Sequence, residues 1–185
     1  AVYTKINSKD LLSLSRDYKL GTIIKSEGIK KGIENTNYLL KTNKKKFILT
    51  IFEKRVQKKD LPFFMNLMEK LNQKKIICPK PLKNSVDKHL SKIQNKPASI
   101  VTFLKGKDKA TLNYKNCFDI GKNIAKFHKA GTKIKLYRQN SMSINKLDGL
   151  LKSIKFTSNK IAPKLKPTLN AVSYTHLTLP TTPYV

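Results

Sequence analysis

The chain has 185 residues, enough for one ordinary domain or for two lobes of about 90 residues each. Its 39% hydrophobic and 8% aromatic content can supply a core, which excludes disorder along the whole length. The formal charge of +28 raises the possibility of a nucleic-acid partner, because clustered Lys and Arg neutralise phosphates and release counterions. Only Arg16, Arg55 and Arg138 among the 39 basic residues are arginines, however, and the lysines are spread through every segment beside abundant Asn and Ile. That pattern belongs to tolerant surface positions more than to a nucleic-acid reader built on the guanidinium fork, so nucleic acid is disfavoured as a partner.

Cys78 and Cys117 lie far apart with no metal-ligand spacing and read as reduced thiols. The first residues lack a charged stretch leading into an apolar one, and no apolar run approaches the roughly 20 residues of a membrane span. The expectation is a soluble, cytoplasmic protein with no membrane partner.

In chain order, residues 8–18 form an expected short helix, with Ser8 as candidate N-cap, Leu11, Leu12 and Leu14 as apolar contacts, and Gly21 as a stop. The period then shortens. Residues 22–28 read as a strand, and residues 35–42 as a second with Thr36, Tyr38 and Leu40 on one face. Gly28-Ile-Lys-Lys-Gly32 links them as a glycine-containing loop. Asn43-Lys44-Lys45 is a polar turn into a third strand at 46–52, completing an antiparallel meander. Asp60-Leu61-Pro62 announces a helix, Asp60 as N-cap and proline in the first turn, where its missing N–H costs nothing. Leu61, Phe64, Met65, Met68 and Leu71 follow at helical spacing, with Phe64, Met65 and Met68 read as core. Cys78-Pro79-Lys80-Pro81 ends that helix and leads to a hairpin: a strand at 88–93, a turn at Asn95-Lys96, and a strand at 98–104. Asn113 is the candidate cap of a helix reaching about Ala130, with Cys117, Ile120, Ile124 and Phe127 on one stripe and Gly131 as its C′ residue. A weaker helical pattern covers 145–156. Residues 167–185 contain no Lys, Arg, Asp or Glu in a chain that is 27% charged over its whole length. Val172-Ser-Tyr-Thr-His-Leu-Thr-Leu-Pro180 reads as foreign to the rest, so residues 171–185 are set apart as a tail. The expected class is α+β: a five-stranded antiparallel sheet with one embedded helix, then the beginning of a helical lobe.

No G-x-x-x-x-G-K-[ST], H-E-x-x-H, C-x-x-C or G-x-S-x-G pattern occurs, and His89, His128 and His176 lack metal-ligand neighbours. What remains is an arrangement. The order strand, glycine loop, strand, strand, helix, hairpin, linker, helix is that of a protein-kinase-like N-lobe. In that lobe the first hairpin's backbone covers the nucleotide phosphates and the segment after the fifth strand meets the adenine. Gly28, Gly32, Glu34, Asn35, Thr36 and Asn37 would then lie over the phosphates, with Val101, Thr102, Phe103 and Leu104 as the hinge.

Several blocks in register sharpen this. Ala1-Val-Tyr-Thr4, Gly32-Ile-Glu-Asn-Thr-Asn-Tyr38, Phe47-Ile-Leu-Thr-Ile-Phe-Glu-Lys-Arg55, Asp60-Leu-Pro-Phe-Phe64 and Ile100-Val-Thr-Phe-Leu-Lys-Gly106 together resemble the bacterial homoserine kinases of the aminoglycoside-phosphotransferase and choline-kinase fold. The match runs to about Lys166, and residues 121–130 are similar to that family's first C-lobe helix.

The resemblance implies ATP- and Mg²⁺-dependent phosphorylation of the L-homoserine hydroxyl in threonine biosynthesis. It implies a kinase-like N-lobe at 1–104 and a hinge with a partial helical lobe at 105–170. It also implies that Glu69 orients a phosphate-binding cation. Thr50 stands where that cation is usual, which leaves Lys54 as the candidate, with Arg55 beside it. The H-x-D-x-x-x-x-N loop and the later metal-binding Asp of such kinases are not found; His128 is followed by Lys129-Ala130, and Asp148 lacks the context. No catalytic residue is therefore assigned, and the chain by itself is expected to turn over little or no substrate. Another small-molecule kinase of this fold, acting on choline or an aminoglycoside, and a basic nucleic-acid-binding protein remain the alternatives.

Overall fold

The computed structural model describes residues 2–53, 57–106, 109–140, 149, 150 and 153. The chain divides into two units, Ala1–Tyr137 and Arg138–Val185. In the second unit the described residues at 149, 150 and 153 are helical, and Ser153 donates its hydroxyl proton to the Leu150 carbonyl at 2.7 Å. The rest of the helix expected at 145–156 lies outside the described residues, as do Asp148, His176 and the tail at 171–185.

The first unit opens with helix α1 (Ser8–Asp17), capped by Asn7 rather than by Ser8. Asn7 Oδ1 accepts from the Asp10 N–H at 2.8 Å and the Asp10 carboxylate accepts from the Asn7 N–H at 3.2 Å, a reciprocal capping box. An amide one residue earlier satisfies the helix end better than the Ser8 hydroxyl because only from the preceding residue, still extended, can it reach the third amide of the first turn. Leu14 is buried and Leu11 packs against the core, but Leu12 is 60% exposed and faces water, since a single α-helical stripe cannot hold both adjacent leucines.

Strands β1 (Ile23–Gly28), β2 (Thr36–Thr42) and β3 (Lys46–Ile51) form the expected antiparallel meander. A 3-10 turn (Lys58–Asp60) leads into α2 (Leu61–Gln73). Asp60 occupies the cap position with helical backbone angles, and its side chain makes no capping bond to α2, because the preceding 3-10 turn already winds the chain into the helix. Leu61, Met65 and Leu71 are the buried face of α2; Phe64 and Met68, expected in the core, are only half-buried. The hairpin of β4 (Leu90–Ile93) and β5 (Lys96–Thr102) turns at Gln94 and Asn95, one residue earlier than expected. Both take positive φ, 48° and 63°, the geometry of the two-residue turn whose twist matches its strands. Lys96 thus belongs to the strand, and Phe103 and Leu104 lie beyond it.

The sheet order is β1-β2-β3-β5-β4, antiparallel throughout. Alternation puts Thr36, Tyr38 and Leu40 on one face, opposite Ile51, Leu49 and Phe47 of β3, and Ala98 and Ile100 of β5 continue it. These residues, with Leu14, Tyr18 and Leu20 from α1 and its exit, are the core. The other face of the meander carries Asn37, Leu39, Ile48, Thr50 and Val101.

Helix α3 (Tyr114–Gly131) is capped by Asn113 as expected, in a second reciprocal box with Asn116. Gly131 is its last helical residue rather than a left-handed C′: Thr132 keeps helical angles and the chain winds on through another turn. Phe118, Ile120, Ile124 and Phe127 of α3 are exposed. Among the described residues no helix is long and apolar enough to cross a membrane.

Candidate functional site

The turn between β1 and β2 is where the expected phosphate-covering residues sit. Pairing extends one residue past β1, with the Ile29 N–H donating to the Asn37 carbonyl at 2.8 Å, so the loop proper is 30–35. Gly32 takes φ +99°, and a Cβ there would meet nothing within 4 Å: the glycine is required by backbone conformation and not by space. Gly28 is different. It is an ordinary strand residue paired with Tyr38, but a Cβ there would lie 2.8 Å from Val2 Cγ2. Its missing side chain makes room for the N-terminal segment. Gly32→Ala is accordingly expected to cost about 1–2 kcal/mol of stability by forcing an L side chain into this conformation, measured by urea unfolding.

Glu34 is exposed at the loop, whereas Asn35 is half-buried and its Oδ1 accepts from the Glu53 N–H at 3.3 Å. Asn37 and Thr50 are cross-strand partners, and the Thr50 hydroxyl donates to Asn37 Oδ1 at 2.7 Å. The position where a strand cation is usual therefore holds a neutral hydrogen-bonded pair on the open face of the meander. Lys54 lies outside the described residues, with Arg55.

The four expected hinge residues do not behave alike. Val101 is paired within β5 to Ile48 and bridges Pro81 on its other side. Thr102 closes the strand, its N–H donating to the Lys80 carbonyl at 2.9 Å and its hydroxyl oxygen accepting from the Lys80 N–H at 2.9 Å. The Phe103 N–H reaches the Lys46 carbonyl at 3.4 Å, and the Lys46 ammonium stands 5.8 Å from the Phe103 ring centre. These bonds commit the Thr102 and Phe103 amides to the fold. Leu104 follows Phe103 beyond the strand, and it is exposed.

Glu69, on α2, does not stand alone: its Oε2 is 3.3 Å from His89 Nε2, while His89 Nδ1 faces the Leu82 carbonyl at 3.2 Å. The contact ties α2 to the approach to β4. Sequence pattern offered no sign of it, because the two residues lie on different elements.

Sequence pattern gives no sign either of the densest polar cluster among the described residues. Glu53, just past β3, has its side chain 12% exposed. Its Oε1 accepts from the Thr4 and Thr36 hydroxyls at 2.7 and 2.8 Å, and its Oε2 accepts from the Lys96 ammonium at 2.6 Å. Lys96 also donates to the Thr4 hydroxyl at 2.7 Å. Burial pushes the Glu53 carboxyl upward, but the hydrogen bonds from Lys96, Thr4 and Thr36 outweigh it and hold the group below the ordinary glutamate value. Thr36, expected over the phosphates, is instead fully buried on the core face, because its hydroxyl is committed to the fold: its oxygen accepts from the Tyr3 and Thr4 N–H groups at 2.9 and 3.1 Å.

A smaller cluster closes the other end of α1. Asp17 accepts from the Ser85 hydroxyl and N–H and from the Ser91 hydroxyl at 2.6, 3.2 and 2.8 Å. The Ser85 bond is the main cause that keeps its carboxyl below the usual range.

Beside α3 runs a cleft of about 890 Å³, lined by Ile76 and Ile77 from the exit of α2 and by Ile120, Ile124 and Phe127. Among the described residues no group of three His, Cys, Asp or Glu side chains could hold a metal ion.

Comparison with known proteins agrees with this geometry. The model of the phosphotransferase enzyme family matches residues 25–169. A homoserine kinase of Beijerinckia indica subsp. indica is 36% identical over 169 residues, covering 91% of this chain and 53% of that protein. One from Bartonella tribocorum is 40% identical over 144 residues, covering 78% of this chain and 45% of that protein. The chain thus spans about half the length of the curated relatives it matches. Among solved structures, a spectinomycin phosphotransferase in complex with ADP and spectinomycin superposes with a TM-score of 0.55 at 14% identity, over 93% of this chain and 59% of that one. The sheet order, the embedded helix and the following helix are those of the kinase-like fold. With the family model matched over most of its length, this chain belongs to the phosphotransferase enzyme family.

Proposed function

We propose that this chain supplies the nucleotide-binding lobe of a cytoplasmic homoserine kinase, which transfers the γ-phosphoryl group of ATP to the side-chain hydroxyl of L-homoserine in threonine biosynthesis. The observation that carries the reading is the identity of 36–40% to proteins named homoserine kinase. In the reaction the homoserine oxygen bonds to the γ-phosphorus, the bond to the ADP oxygen breaks, and the hydroxyl proton passes to a base. Such transfer depends on positioning and charge stabilisation more than on covalent help from the protein. Gly28, Gly32, Glu34, Asn35 and Asn37 would cover the phosphates, Lys54 would contact them, Glu69 would steady that region through α2, and Val101–Leu104 would border the adenine. Leu104 is the best placed of the four, since the Thr102 and Phe103 amides are committed. We assign 1–104 to the nucleotide-binding lobe, 105–170 to the hinge and partial helical lobe, and 171–185 to a tail outside the fold.

The resemblance also calls for Mg²⁺, but the described residues provide no carboxylate set that fits it. The chain is accordingly expected to bind nucleotide without turnover, since the H-x-D-x-x-x-x-N loop is not among its 185 residues.

The test has two arms. MgADP at about 100 times its dissociation constant should stabilise the chain by about 2.7 kcal/mol, seen as a raised melting temperature. A protein of the relatives' length that carries this chain should consume ATP with L-homoserine and not with choline or spectinomycin. An unmoved melting temperature would overturn the nucleotide assignment, and equal turnover with choline or spectinomycin would overturn the substrate.

A further inference from the structure

Three consecutive residues near the start of the chain each hold a different point around the 28–36 turn. Val2 fills the space left by Gly28, Cγ2 standing 2.8 Å from where a Cβ would be. The Tyr3 hydroxyl donates to the Ile33 carbonyl at 2.9 Å, on the far side of the same loop. Thr4, with the Tyr3 and Thr4 amides, closes on Thr36 and Glu53, where β2 begins and β3 ends. The Tyr38 hydroxyl adds a bond to the Thr4 carbonyl at 2.9 Å. One shoulder of the loop is therefore filled by Val2, the other is fixed by buried polar groups at Thr36 and Glu53, and its tip is held by Tyr3. An exposed loop with a glycine at φ +99° would otherwise lose much of its freedom on closing over a ligand. Ordering it beforehand improves affinity without any new contact to the ligand.

We infer that residues 2–4 are a clamp that pre-orders the 28–33 loop for phosphate binding, with Tyr3 as a positioning residue and the Glu53–Lys96–Thr36 cluster as its anchor. The inference rests on the nucleotide-binding reading above. Tyr3 and Ile33 are both exposed, so Tyr3→Phe removes one hydrogen bond and leaves the core untouched.

The experiment is to measure MgADP affinity, melting temperature and amide hydrogen exchange of residues 29–33 for the full chain and its variants. Tyr3→Phe should weaken MgADP binding severalfold, within the roughly fivefold that one such bond is worth, and speed exchange at 29–33, with the melting temperature lowered only slightly. Thr36→Ser, which keeps the hydroxyl, should bind as the parent does, whereas Thr36→Val should weaken binding further. Should Thr36→Val not fold, the Tyr3→Phe and Thr36→Ser results still decide. Unchanged MgADP affinity in Tyr3→Phe, whatever happens to exchange, overturns the clamp while leaving the nucleotide reading in place. Failure of the parent chain to bind MgADP removes the nucleotide reading, and the inference falls with it.

Discussion

Lys96→Met is expected to lower stability by about 2 kcal/mol at pH 7, and by clearly less near pH 4. Removing one partner of a fully buried ion pair costs about 3–5 kcal/mol because the other charge is left unpaired. Here Glu53 is 12% exposed but Lys96 is 40% exposed, so solvent screens part of the loss and the lower figure applies. The pH dependence follows from the direction of the Glu53 shift. Its carboxyl is held below the ordinary value of about 4.5, so the unfolded chain binds the proton more readily. The cluster's contribution is therefore complete above about pH 4.5 and is lost as pH falls through the folded value. Asp17 acts in the same sense from its ordinary 3.8. Without Lys96 the largest remaining influence on Glu53 is burial, which favours the neutral acid; the variant should then lose less on acidification than the parent. Urea unfolding of both proteins between pH 4 and 7 measures this. A difference that stays constant over that range would show that Lys96 stabilises by packing alone.

Leu49→Ala should cost about 3 kcal/mol, within the 2–5 kcal/mol typical of a buried leucine whose cavity collapses only partly. Leu49 is 0% exposed at the centre of β3, between Tyr38 of β2 and Ile100 of β5. Backbone pairing on both sides leaves the strand little room to move into the gap. The urea midpoint should fall by at least about 1 M with the slope unchanged. Leu12→Ala, 60% exposed on α1, should stay within about 0.5 kcal/mol and serves as the control. Domains of this kind hold only about 5–15 kcal/mol in total, so the Leu49 loss is large enough to populate unfolded chain at 37 °C.

The exposed stripe of α3 was legible from spacing alone, and Ile120, Ile124 and Phe127 do share a face. The candidate site was legible only in part. The glycine loop between β1 and β2 and a fifth strand, which ends at Thr102 rather than Leu104, follow from pattern, and Gly28, Gly32, Glu34, Asn35 and Asn37 fall in or beside that turn. Lys54 lies outside the described residues, while Glu69 meets His89 across two elements.

Strand identity, helix faces and the Asn113 cap are written locally: periods of two and 3.6, and a short side chain one residue before a helix, act over a few residues. From these the α+β class and the five strands could be read. The errors were equally local. Gln94-Asn95 took the turn in place of Asn95-Lys96 because hairpin twist favours two left-handed residues, a preference single-residue propensity underweights. The Glu53 cluster could not be read at all. It joins Thr4, Thr36, Glu53 and Lys96 over separations of up to 92 residues. An acid and a base so far apart carry no periodicity; each reads as a surface residue until the sheet order brings the ends of β3 and β5 side by side under the N-terminal segment. Only tertiary structure decides which charge is buried, because desolvation and pairing depend on neighbours that the chain acquires after its strands have found their register.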